Sequence, residues 1–126
     1  MKTIEKCYVI AAPIAKVWQA LVDPALIAQW GAGPADMDDG AGTDFKLWGG
    51  DIFGKNVAVD HERKLVQDWY AGDWAEASIA TFTLAEEAGG TRLDLRHSNV
   101  PEDAVEDIDS GWDMYYLGAI KRFLEM

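Results

Sequence analysis

The sequence predicts an α+β fold: an antiparallel sheet of about six to seven strands, two short helices after the first strand, and a long C-terminal helix laid across the sheet. Three observations carry this. Apolar and polar residues alternate with a period of two through the middle of the chain, whereas helical spacing is confined to the stretch from Pro13 to Trp30 and to the segment after Pro101. The strand-like runs are joined by short turns, DHER and AGG, which suits antiparallel pairs of neighbours in sequence. The last segment carries one broad apolar face, which needs a sheet to cover it.

The elements follow in order. Val and Ile around Lys and Glu in TIEKCYVI give a first strand, Thr3 to Ile10. Pro13 suits a first helical turn, and Ile14, Val17, Trp18 and Leu21 repeat at helical spacing. Asp23 is an N-cap for a second short helix through ALIAQW, which stops near Gly31, Gly33 and Pro34. PADMDDGAG reads as a short strand and a turn. TDFKLW alternates Phe45 and Leu47 with Asp44 and Lys46, and GG turns the chain. DIFGKNVAV and KLVQDWYA form the next pair, ASIATFTLAEE and TRLDLRHS another. The final helix is expected to begin near Pro101. At about 100° per residue, Val105, Ile108, Trp112, Tyr115, Tyr116, Ala119 and Phe123 share its inner face, with Ile120 at the border. Leu117 and Leu124 lie nearly opposite.

Composition narrows the partners. With 126 residues and 49% hydrophobic content, the chain is long enough for one domain, 1–126, with a real core. Twenty-two acidic against eleven basic residues give a net charge of −11. Such a surface repels phosphate backbones and anionic headgroups, which argues against nucleic acid and membrane surfaces as partners. The acids concentrate in PEDAVEDIDSGWD, a solvated helix start or a docking patch for a basic protein. No run is long enough to cross a bilayer as a helix, and MKTIEKCYVI reads as a strand and not as a signal segment. The one cysteine, Cys7, permits no internal disulfide, and its place in a strand suggests a small buried or half-buried residue. A cytoplasmic protein is expected.

In this order, IAAPIAKVWQALVDPALIAQW, GTDFKLWGG, FGKNVAVDHERKLVQDW, TRLDLRHSNVP and GWDMYYLGAIKRFLE resemble, across nearly the whole chain, the family homologous to the C-terminal domain of the activator of heat shock protein 90 ATPase. That family lies within the START-like, or SRPBCC, superfamily, also called birch-pollen-allergen-like. The resemblance implies a helix-grip fold: a curved sheet gripping the C-terminal helix, with two short helices closing one end. Members often keep an apolar cavity between helix and sheet for lipids, hormones or polyketides, and some are cyclases or aromatases. The activator carries an additional N-terminal domain that these residues do not match, so a co-chaperone role does not transfer directly. A fold reused for many tasks does not fix function.

Candidate site residues follow from strand and helix phase. Phe45, Leu47, Trp69, Phe82, Leu95, His97, Trp112, Tyr115 and Tyr116 are expected to wall the space between sheet and helix, as a filled core or as a ligand cavity. Leu65 and Leu93 belong to the same inward set, and Tyr8, Asn56 and Gln67 are candidate polar tips. No GxSxG, CxxC, HExxH or phosphate loop is present, and the pairs Gly49-Gly50 and Gly89-Gly90 read as turns. His61 falls in a charged turn. His97 shares the phase of Leu93 and Leu95; it either hydrogen-bonds the turn that follows or a carbonyl, or meets a ligand as a proton carrier. It is the one catalytic candidate. Two distant histidines imply no metal site, and no organic cofactor is implied.

Three functions stay open on these grounds. One is binding of a small hydrophobic or amphiphilic molecule in the cavity. Another is a protein-interaction module or chaperone accessory, with a protein partner or a homodimer. The third is a cyclase- or hydrolase-like enzyme using the same cavity.

Overall fold

Each run of alternating polarity becomes a strand because alternation puts its apolar members on one face. The computed structural model describes residues 1–126. Its strands are β1 (Lys2–Ile10), β2 (Asp44–Leu47), β3 (Ile52–Asp60), β4 (Lys64–Ala71), β5 (Ser78–Glu87) and β6 (Gly90–Val100). They form one six-stranded antiparallel sheet in the order β1-β6-β5-β4-β3-β2. Helices α1 (Ile14–Val22) and α2 (Pro24–Trp30) follow β1. The C-terminal helix runs as α3 (Val105–Gly111), a π turn (Trp112–Tyr116) and α4 (Leu117–Leu124). This is the helix-grip architecture.

Local chemistry sets the ends. The Asp23 carboxylate accepts from the N–H groups of Ala25 and Leu26, with Pro24 in the first turn of α2, and Gly31 ends that helix at φ +117°. Ala88 and Gly89 both have positive φ in the two-residue turn between β5 and β6, the geometry that matches strand twist.

One face of the sheet, α1, α2 and α4 close over a cluster of 27 buried apolar residues. It includes Phe45, Leu47, Leu65, Phe82, Leu93 and Leu95, all inward as their phases require. Asn56 and Gln67 are buried with them. The Gln67 amide donates to Asn56 Oδ1 at 2.9 Å, and the Asn56 amide donates to the carbonyl of Asp38 at 3.0 Å, which fastens the loop before β2 to the sheet.

Four expectations are corrected. PADMDDGAG forms no strand; it makes one bridge, Asp36 to Lys46. The Asp38 carboxylate holds it as a loop by accepting from Gly40 N–H and Thr43 Oγ–H. The last helix begins at Val105, after turns that follow Pro101. Cys7 is exposed, because Ile4 and Ile10 set the inward phase of β1 and Cys7 falls between. The inner face of the last helix is also shifted. Leu117 N–H donates to Trp112 O, an i to i+5 bond that inserts one extra residue. One residue is about 100° of helix, so everything beyond it turns. Tyr115 is thereby rotated outward and is 62% exposed, while Leu117 and Ile120 are fully buried.

Candidate functional site

The π turn is held open from three sides. Its extra residue leaves the Met114 carbonyl free to accept from Arg122 Nη2 at 2.7 Å. Gly118 passes so close to the carbonyl of Asp113 that a Cβ there would sit 1.7 Å from the oxygen. On the β1 side, Lys6 Nζ donates to Asp109 at 2.6 Å and to Asp113 at 2.8 Å, and Tyr8 donates its hydroxyl to Asp113. Partial burial pulls the Lys6 ammonium down, but its two carboxylate bonds outweigh this and leave its pKa raised. Asp113 is lowered, its bonds from Lys6 and Tyr8 outweighing the upward effect of burial. Three of the six carboxylates of PEDAVEDIDSGWD are thus in ion pairs, since Glu102 lies 3.5 Å from the chain's N-terminal ammonium.

Beneath the turn the rings form a continuous chain. Trp112 stacks on Trp69 at 5.4 Å and leans on Tyr116 at 4.5 Å. Tyr116 meets Trp30 at 5.0 Å and Trp48 at 6.0 Å, and Trp69 meets Trp74 at 5.9 Å. Trp48 has φ +49°, rare for a bulky side chain. Its N–H donates to Ala32 O at 2.8 Å, and that of Gly49 to Pro34 O at 3.0 Å, which pins the turn from Trp48 to Gly50.

Between this strained turn and the π turn lies a pocket of about 250 Å³, open to solvent. Trp48, Ile52, Trp69, Ile108, Trp112, Tyr115 and Tyr116 line it, with Gly111, Asp51 and Asp107, and its wall is almost wholly apolar. Of the nine residues expected from the sequence to wall the space, the structure brings Trp69, Trp112, Tyr115 and Tyr116 to this pocket. Phe45, Leu47, Phe82, Leu95 and His97 are packed in the core and do not line it. Tyr115 reaches it as an exposed rim residue, not as a buried wall. Trp48, Asp51, Ile52, Asp107, Ile108 and Gly111 were not singled out as wall residues, although Ile108 was expected on the inner face of the helix. The Gly pair after Trp48 was the available signal for a left-handed turn there. A larger depression of about 570 Å³ around His61, Glu62, Arg63 and Glu86 has few apolar walls and mixed charge.

His97 is fully buried. Its Nδ1 lies 3.0 Å from Trp112 Nε1, and its Nε2 lies 2.7 Å from Ser78 Oγ. An indole N–H can only donate, so Nδ1 accepts and the ring proton is on Nε2. That proton goes to Ser78 Oγ, whose own hydroxyl donates to the carbonyl of Trp69 at 2.6 Å. Every site on the neutral ring is used. Burial lowers the His97 pKa to about 4. The imidazole therefore fixes Trp112 against the sheet, through a side-chain partner and not through the turn after β6. Trp69, 3% exposed, holds a buried indole N–H with no acceptor. No three His, Cys, Asp or Glu side chains converge to hold a metal ion.

A sheet gripping a helix, with an aromatic pocket beside the helix, defines a protein of the START-like class. The chain belongs to the Activator of Hsp90 ATPase homolog 1-like protein family, whose model matches residues 11–125. It is 28% identical to mouse activator of 90 kDa heat shock protein ATPase homolog 2 over 80% of the chain and 31% of that relative. It is 21% identical to the Hsp90 co-chaperone AHA1 of Saccharomyces cerevisiae over 86% of the chain and 33% of that relative. The chain thus spans about a third of the length of these curated relatives. Among solved structures, an HSP90 activator from Plasmodium falciparum superposes with a TM-score of 0.91 at 24% identity, over 99% of this chain and 97% of that one. CalU16 from Micromonospora echinospora superposes with a TM-score of 0.82 at 28% identity, over 97% and 65%. No helix is long and apolar enough to cross a membrane.

Proposed function

We propose that this protein binds a small, mainly apolar molecule in the pocket between the π turn and the turn from Trp48 to Gly50. The observation that carries the reading is that two disfavoured backbone conformations, the π turn and the left-handed Trp48, flank the same ring-lined pocket. Such conformations cost free energy and cluster at functional sites. A pocket of about 250 Å³ lies just under the usual range of roughly 300–1,000 Å³. The occupant is therefore a small molecule or the end of a longer one.

Native mass spectrometry on freshly purified protein tests this. An adduct of low mass that is lost on denaturation is expected, as is weaker retention in Ile108→Glu, which charges the half-buried wall without emptying the core. A bare chain that also takes up no small aromatic or acyl compound on soaking would overturn the reading. The function then moves to the surface. The names of the curated relatives favour that second reading, in which the domain docks on a chaperone.

A further inference from the structure

We infer that the occupant of this pocket is an organic cation, an alkylammonium or amine attached to a small apolar group. The inference rests on the pocket being a ligand site, and adds the sign of the ligand's charge. The residues around the pocket include two acidic ones, Asp51 and Asp107, and no Lys, Arg or His. Both carboxylates belong to exposed residues, and neither is within ion-pair distance of a basic group. This sets them apart from Asp109 and Asp113, which Lys6 occupies. Beside them stand the rings of three Trp and two Tyr.

Aromatic faces attract cations through the ring quadrupole, Trp most strongly. The exposed carboxylates of Asp51 and Asp107 add a Coulombic attraction that water and salt weaken. An anion placed there would meet two like charges and the negative faces of the rings. A neutral ligand gains from apolar burial alone. The net charge of −11 further raises the local concentration of cations. Ring walls, free carboxylates and absent bases therefore agree on one ligand class.

The test compares three probes of similar size: phenyltrimethylammonium, its uncharged isostere tert-butylbenzene, and benzenesulfonate. Binding is followed by the indole N–H signals of Trp69 and Trp112 in a heteronuclear NMR titration. The cation is expected to bind about tenfold more tightly than the isostere, with the sulfonate weakest. The preference should vanish in Asp51→Asn/Asp107→Asn, whose side chains are exposed and whose folding is checked by the same spectrum. If the isostere binds as well as the cation, the charge inference is wrong while the pocket reading stands. If the cation is preferred equally by the double variant, the attraction belongs to the whole surface and the inference is again overturned. If none of the probes moves either indole signal, the pocket reading falls too.

Discussion

Acidification of wild type and His97→Gln measures what His97 does. In the folded protein the imidazole is neutral, with a pKa lowered by burial from 6.5 to about 4. In the unfolded chain it takes a proton near the ordinary value. Between these values the unfolded state holds more protons, so stability is full above 6.5 and is lost as pH falls toward 4. The separation of about 2.5 units, at 1.36 kcal/mol per unit, corresponds to about 3 kcal/mol over the whole window. About 2 kcal/mol of that falls between roughly pH 7 and pH 5. Gln does not titrate. Its oxygen can accept from Trp112 Nε1 and its amide can donate to Ser78 Oγ, so it replaces the imidazole's two bonds. Urea unfolding of both proteins across this range gives the free-energy difference at each pH. Every other titrating group is common to the two chains and cancels. The advantage of wild type is expected to shrink by about 2 kcal/mol on going from about pH 7 to about pH 5. Parallel curves would refute the reasoning, because they would mean that His97 is charged, or free to become so, inside the fold. A proton carrier in the interior would then be back in contention.

Other perturbations separate the supports of the site. Trp112→Phe keeps a ring against Trp69 but removes the donor to His97 Nδ1; a loss of about 1–3 kcal/mol in chemical denaturation is expected. Gly118→Ala places a Cβ against the Asp113 carbonyl. A lower thermal midpoint, equivalent to about 1–3 kcal/mol, should accompany disturbed signals of Tyr115 and Tyr116 beside the pocket. Lys6→Met releases two half-exposed carboxylates from β1. The expected cost is at most about 1 kcal/mol and should fall as salt is added, as a salt series of denaturation curves would show.

By itself the sequence determined the element order, the antiparallel sheet and most of the core. The reason is that alternation in a strand reports burial directly: Phe45, Leu47, Leu65, Phe82, Leu93 and Leu95 all face inward because each strand has one covered side. The family was legible in a different way, as the resemblance of five stretches taken in order, from IAAPIAKVWQALVDPALIAQW to GWDMYYLGAIKRFLE. Tertiary structure decided the site. A helical wheel assumes a constant turn, and the π turn breaks it at Trp112, so Tyr115 swings out to the pocket rim and Leu117 swings in. Hydrophobic periodicity gives no sign of that turn. It is held by Lys6 and Tyr8 on Asp113, distant in sequence, and within the helix by Arg122 on the Met114 carbonyl and the bare Cα of Gly118 beside the Asp113 carbonyl. His97 shows the same division. Its phase put it inside, but its state depends on Trp112 and Ser78, which strand pairing and helix packing bring to its two nitrogens. The pocket likewise joins Asp51 and Trp48 to Asp107 and Ile108, more than fifty residues away in sequence. Period and propensity describe one segment at a time, whereas a pocket is made of several segments whose meeting is set by packing.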